Sequence, residues 1–369
     1  MTAISDTLDR LTLEGELYEA LPDERVRCHA CAHSCLIARG KRGICQVRFN
    51  KDGKLLVPWG YVAGANVDPI EKKPFAHFLP GADALTFGML GCNLKCDFCQ
   101  NWLTSQALRD PAADGALRHI QRISPEGLVD YARQYQAEVI ASSYNEPLIT
   151  SEWAVAIFKL AKPLGIRTVY ISNGYASTEV LEYLRPWLDG YKIDLKTMQA
   201  KQYPELGGKL QPVLDSIRKA HDLGLWVEAV TLVIPGFNDS NEELWDAARF
   251  LTSVSPDIPW HVTAFHPDYR RNGNAPTTAD HLQRAADIGQ EAGLRYVYAG
   301  NLPGRVGSLE DTHCPKCARP VIKRRGYTIL EYTITAKGTC PHCATPIAGI
   351  WTDKPETVRT GGWGLPRPF

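Results

Sequence analysis

Between residues 84 and 291 short runs dense in β-branched and aromatic residues alternate with longer amphipathic stretches. The runs are ALTFGM (84–89), EVIASSY (138–144), RTVYISN (167–173), YKIDLK (191–196), WVEAVTLVI (226–234) and WHVTAF (260–265). Their length and their content of Val, Ile, Leu and Tyr predict strands. Helical patterns near 125–136, 150–164, 177–188, 212–223, 241–252 and 278–291 separate them, several opened by Ser or Asn, the residues that cap a helix N-terminus. Six βα units in series predict a parallel sheet covered on its faces. Six fall short of the eight in a closed TIM barrel, so the predicted fold is α/β, a partial (β/α)6 TIM-like barrel, with a doubly wound sheet as the alternative.

In both layouts reactive groups gather on the loops at the strands' carboxyl ends. There the chain carries, in order, Cys92-x3-Cys96-x2-Cys99, Asn145-Glu146-Pro147, Ser172-Asn173-Gly174, Asp194-Leu195-Lys196, Pro235-Gly236-Phe237-Asn238-Asp239 and His266-Pro267. Asn-Gly and Pro-Gly alone are ordinary turn signals. Polar chemistry at all six ends of one sheet points to a site.

Composition narrows the partners. The chain has 369 residues, 44% of them apolar, and a formal net charge of zero. That suffices for a large core and supplies no global field to recruit nucleic acid or an anionic membrane. The first twenty residues have neither a basic nor an apolar signal region, and no apolar run of membrane-spanning length occurs, so the expected location is cytoplasmic, without membrane association.

All eleven cysteines fall into three groups. Without an export signal, such clusters read as metal thiolates rather than disulfides. They divide the chain into residues 1–80, a cysteine-rich metal-binding module; 81–305, the barrel; and 306–369, a zinc-ribbon-like domain and tail. Cys314-x2-Cys317 and Cys340-x2-Cys343 fit two knuckles holding a structural zinc. Lys323-Arg324-Arg325 beside them makes a small basic patch, which leaves nucleic-acid binding as a minor alternative. Cys28-x2-Cys31-x3-Cys35-x9-Cys45 fits either zinc or an auxiliary [4Fe–4S] cluster, with the hairpin-like 47–57 favouring zinc.

The middle group has three thiolates. These can hold three irons of a cubane and leave the fourth iron open, as catalytic zinc keeps an open position and structural zinc does not. A tri-thiolate zinc with water and a ferredoxin-like electron relay are the competing readings.

Cys92-x3-Cys96-x2-Cys99, with Phe98 before the last cysteine and a strand before the first, resembles the signature of the radical S-adenosylmethionine (radical SAM) superfamily. The resemblance implies a [4Fe–4S] cluster on Cys92, Cys96 and Cys99 and S-adenosylmethionine chelated to the open iron. Reductive cleavage would then give a 5′-deoxyadenosyl radical that abstracts hydrogen from a substrate. It implies cofactor contacts from Asn145 and Glu146 to the methionine amino group, from Ser172 and Asn173 to ribose or carboxylate, and from Asp194, Lys196 and His266 to the same groups. Ile234 and Phe98 would border the adenine. VDPIEKKPFAHFLPG (67–81), SSYNEP, IPGFNDS, PWHVTAFHPDYR (259–270) and YVYAGNLPG (296–304), with a cysteine quartet at each end, are similar to AmmeMemoRadiSam-type radical SAM enzymes, themselves similar to pyruvate formate-lyase activating enzyme. That implies a flavodoxin- or ferredoxin-type electron donor, Memo-like and AMMECR-like companion proteins, and a small-molecule, peptide or partner-protein substrate, the last in a glycyl-radical activase.

Overall fold

The computed structural model describes residues 3–361 and the strand Arg367–Pro368. Its centre is a parallel sheet of β1 (Asp83–Gly88), β2 (Val139–Ser142), β3 (Arg167–Ser172), β4 (Gly190–Asp194), β5 (Trp226–Val233), β6 (Trp260–Ala264) and β7 (Val297–Gly300). Neighbours in sequence are neighbours in the sheet, all parallel. On its far side β1 pairs antiparallel with Gly64–Pro69, so β1 and β7 do not meet and the barrel stays open. The expected boundary at residue 81 therefore cuts the sheet, which begins at Gly64.

Helices α1 (Pro125–Gln134), α2 (Ser151–Ala161), α3 (Thr178–Leu184), α4 (Leu210–Asp222), α5 (Asn241–Val254) and α6 (Ala279–Glu291) follow β1 to β6. Ser124, Ser177 and Ser240 cap α1, α3 and α5 by accepting the N–H of Gly127, Val180 and Glu243, each cap contributing about 1 kcal/mol. All six expected strands form. The seventh, β7, is four residues long and too short to read as a unit. Its side chains alternate: Val297 and Ala299 pack on the helical layer, Tyr296 and Tyr298 on the tail.

The inside of the barrel has two halves. Phe75 and Phe78, from the segment before β1, plug the amino-terminal end with Ala84, Val139, Ala141 and Val169. A Cβ on Gly190 would come 2.9 Å from Phe78, so a side chain there would expel the plug. Above it the carboxyl end is hollow and polar.

The head forms two three-stranded sheets, and Thr312–His313, Pro320–Arg325 and Thr328–Tyr332 form a third in the tail. Glu228 of β5 binds head to barrel: it accepts the N–H groups of Ala76 and His77, and His261 Nε2 lies 2.6 Å away. His77 touches the tail through Ala348 O, 2.6 Å from its Nδ1. Among the described residues no helix is long and apolar enough to cross a membrane.

Candidate active site

β1 delivers the first cysteine through a constricted turn. A Cβ on Gly88 would stand 2.5 Å from the Ser143 carbonyl, and one on Gly91, whose φ is 95°, would stand 2.8 Å from Val47. Only glycine accommodates both the close approach and the left-handed backbone. Beyond this turn Cys92, Cys96 and Cys99 face a cavity of about 400 Å³ at the sheet's carboxyl end.

Its walls bring together residues from the first four strand ends. Phe98, Asn145, Glu146, Ser172, Asn173, Asp194 and Lys196 all line it. Glu146, 2% exposed, clamps two loops: its carboxylate accepts from Ser172 Oγ at 2.7 Å, Asn173 N at 2.8 Å and Leu148 N at 3.0 Å. Burial pushes its pKa up to about 7. Asn145 Oδ1 accepts the Met89 N–H at 3.0 Å, and Asn173 Nδ2 donates to Asn93 Oδ1 at 2.7 Å. Asp194 lies between Lys192, within ion-pair contact, and Lys196 at 3.2 Å. Burial opposes charge on Asp194, yet the two lysines hold it down at about 2. The same carboxylate, with Cys96 and Cys99, raises Lys196 against its burial.

Burial raises all three thiols, Cys96 to about 12. Buried thiols become ligands when a metal supplies the compensating charge. A Zn–S bond of about 2.3 Å would hold thiolates about 3.8 Å apart, and among the described residues Cys92, Cys96 and Cys99 form no group within 4.8 Å of one another. Three thiolates around one cavity suit a cubane, whose thiolates sit on separate irons. Asn93 Nδ2, buried and without a partner, sits beside Cys92. The residues present therefore fit a [4Fe–4S] group.

Two of the expected site residues do not line the cavity. Ile234 is fully buried and away from the cavity: β5 ends at Val233, and the Ile234 N–H donates to Asn238 Oδ1 at 2.7 Å, turning the chain back. Val230 and Leu232 supply that wall instead. His266 is exposed on the rim, its Nε2 2.9 Å from Gln100 Nε2, and is not part of the lining. Sequence reasoning also missed Lys192, Lys72, Lys73 and Tyr144, which line the cavity. Strand alternation in YKIDLK puts Lys192 on the face of Asp194, so a signal existed for it. Lys72 and Lys73 arrive from the segment before β1, held by Asp68 at 2.8 and 2.6 Å, and carry no local signal.

The C-terminal quartet closes tightly. All four sulfurs lie within 4.8 Å of one another, with Cys314 to Cys343 at 3.5 Å and Cys317 to Cys340 at 3.8 Å, the spacing a tetrahedral metal needs.

Comparison with known proteins shows the family of the chain. The model of the radical SAM superfamily matches residues 87–251, from the end of β1 into α5. An uncharacterized protein of Methanocaldococcus jannaschii, MJ0808, is 36% identical over 313 residues, covering 84% of this chain and 91% of that protein. The pyruvate formate-lyase-activating enzyme of Staphylococcus aureus is 24% identical over 242 residues, 61% of this chain and 92% of that one. Among solved structures, Streptococcus suis SuiB aligns with a TM-score of 0.46 at 15% identity, over 63% of this chain and 52% of its own. With its three-cysteine loop at the head of a parallel sheet, the chain belongs to the radical SAM superfamily.

Proposed function

We propose that the protein is a radical SAM oxidoreductase. It holds a [4Fe–4S] cluster on Cys92, Cys96 and Cys99, binds S-adenosylmethionine in the adjoining cavity and abstracts hydrogen from a substrate at the open mouth. The observation that carries this reading is the meeting of three cysteine thiols with the Asp194–Lys196 pair in one cavity of about 400 Å³. When bound, the cluster supplies the electron that splits S-adenosylmethionine into methionine and a 5′-deoxyadenosyl radical.

The chain's own residues bind and orient. Lys196 offers a point charge to the cofactor carboxylate, and Asn173 and Ser172 offer polar groups to ribose hydroxyls. Phe98, Val230 and Leu232 give apolar surface for the adenine. Glu146, its oxygens already engaged, fixes the β2 and β3 loops against each other. Protein reconstituted anaerobically and reduced should form 5′-deoxyadenosine from S-adenosylmethionine, and Cys96→Ala should form none; continued formation by that variant would refute the reading.

A second reading, activation of a partner protein as a glycyl-radical activase, is supported by the similarity to an enzyme named for activating pyruvate formate-lyase. Deuterium carried from a labelled glycine of a partner into 5′-deoxyadenosine would select it over a small-molecule substrate. The tight C-terminal quartet supports a structural zinc there.

A further inference from the structure

The two cysteine quartets differ in three ways. In the C-terminal one the residue after each Cys-x2-Cys, Ala318 and Ala344, takes a positive φ of 55° and 58°. Each donates its N–H to the carbonyl of the first cysteine at 2.9 Å. These turns draw the sulfurs into the spacing described above. In the N-terminal quartet the equivalent residue, Ala32, donates instead to Tyr175 of the barrel at 3.1 Å, and the loop closes wider, Cys28 N–H to the Cys35 carbonyl at 3.0 Å.

The sulfurs differ accordingly. Cys28, Cys31 and Cys45 are buried and Cys35 partly so. Yet among the described residues no three of these thiols come within 4.8 Å of one another. They share this looser gathering with Cys92, Cys96 and Cys99.

Their surroundings differ too. The N-terminal quartet is packed onto the thiolate loop of the active site. His33 Nε2 lies 2.9 Å from the carbonyl of Asn93, the residue after Cys92. A Cβ on Gly91, the residue before Cys92, would stand 3.2 Å from the Cys45 carbonyl. The buried Arg48, which follows Cys45 by three residues, is paired with Glu152 of the barrel, fastening this module beside the active site.

We propose that Cys28, Cys31, Cys35 and Cys45 hold a second [4Fe–4S] cluster, not zinc, through which the electron enters the active site. A low-potential one-electron donor reduces this cluster. It then passes the electron to the cluster on Cys92, Cys96 and Cys99 and returns to its oxidised state, with no proton or bond change in the relay. The relay rests on the function proposed above; the metal assignment does not.

Iron, acid-labile sulfide and zinc are counted on anaerobically purified full-length protein. The expected result is about eight irons and one zinc per chain. In Cys92→Ala/Cys96→Ala/Cys99→Ala, about four irons and four sulfides should remain, with an EPR signal unmoved by S-adenosylmethionine. About four irons and two zincs in the wild type, or an iron-free triple variant, overturns the assignment. Neither result bears on whether wild-type protein makes 5′-deoxyadenosine. Freeze-quench EPR after mixing wild type with reduced methyl viologen should show the S-adenosylmethionine-insensitive signal before the sensitive one. The reverse order overturns the relay.

Discussion

Arg48 and Glu152 form a bidentate ion pair in the interior, Nη1 to Oε2 at 2.7 Å and Nη2 to Oε1 at 2.8 Å, with side chains 1% and 3% exposed. One comes from the cysteine-rich head and the other from α2, so the pair fastens the head to the barrel. Glu152 also accepts the N–H groups of Glu16 and Leu17. Glu152→Ala leaves a buried guanidinium without its carboxylate and should lower stability by about 3–5 kcal/mol. Arg48→Met/Glu152→Leu should lower it less, because neither charge remains to be stranded. Urea unfolding of the two variants measures the difference.

Gly88 separates β1 from the thiolate loop. Gly88→Ala adds a Cβ 2.5 Å from the Ser143 carbonyl, and backbone cannot yield as a flexible side chain does. The expected loss is about 1–3 kcal/mol, with reduced iron retention at Cys92, because the strand must move. Denaturation and iron analysis of the reconstituted variant check both.

Lys196 is one cationic end of the Lys192–Asp194–Lys196 row. Under the proposed function Lys196→Met removes a charge-assisted contact to the cofactor, worth about 1.5–3 kcal/mol. Affinity for S-adenosylmethionine should fall about ten- to hundred-fold, while Lys196→Arg should recover part of it. Isothermal titration on reconstituted protein reads the change.

His77 is fully buried and its pKa is pushed down to about 4, chiefly by burial, with Glu228 opposing. Its ordinary value is near 6.5. The unfolded chain therefore takes up a proton between these values that the folded chain refuses. Stability from this residue is full above about pH 6.5, falls as pH drops toward 4 and levels off below, a change of about 3 kcal/mol. Urea midpoints between pH 7.5 and 5 should shift downward, and an NMR titration of the His77 ring should show no protonation above pH 5.

The tail hairpin Pro320–Arg325 and Thr328–Tyr332 packs beside the tight cysteine quartet. Its core, Val321, Ile322, Ile329 and Ile334, is joined by Cys314 and Cys340 themselves, so a bound metal and that core are one unit. A chelator should release one zinc per chain and abolish amide-exchange protection in residues 312–332, leaving β1 to β6 protected. Exchange mass spectrometry reads both regions.

The sequence by itself determined the order of the strands and helices, the cysteine groups and the strand ends that bear the chemistry. Local causes suffice for these: runs of β-branched residues, serine caps, and the fixed alternation that puts Lys192, Asp194 and Lys196 on one face. Tertiary structure decided what depends on distant chain segments meeting. Lys72 and Lys73 enter the cavity because Phe75 and Phe78 plug the barrel and carry the preceding segment across its edge. Ile234 leaves the cavity because Asn238 captures its N–H, and His266 stays on the rim beside Gln100. The two cysteine quartets already differ as spacings, x2, x3 and x9 against x2, x22 and x2. The fold adds that the Ala32 N–H is taken by Tyr175 while Ala318 and Ala344 close their own turns, which spacing alone does not record.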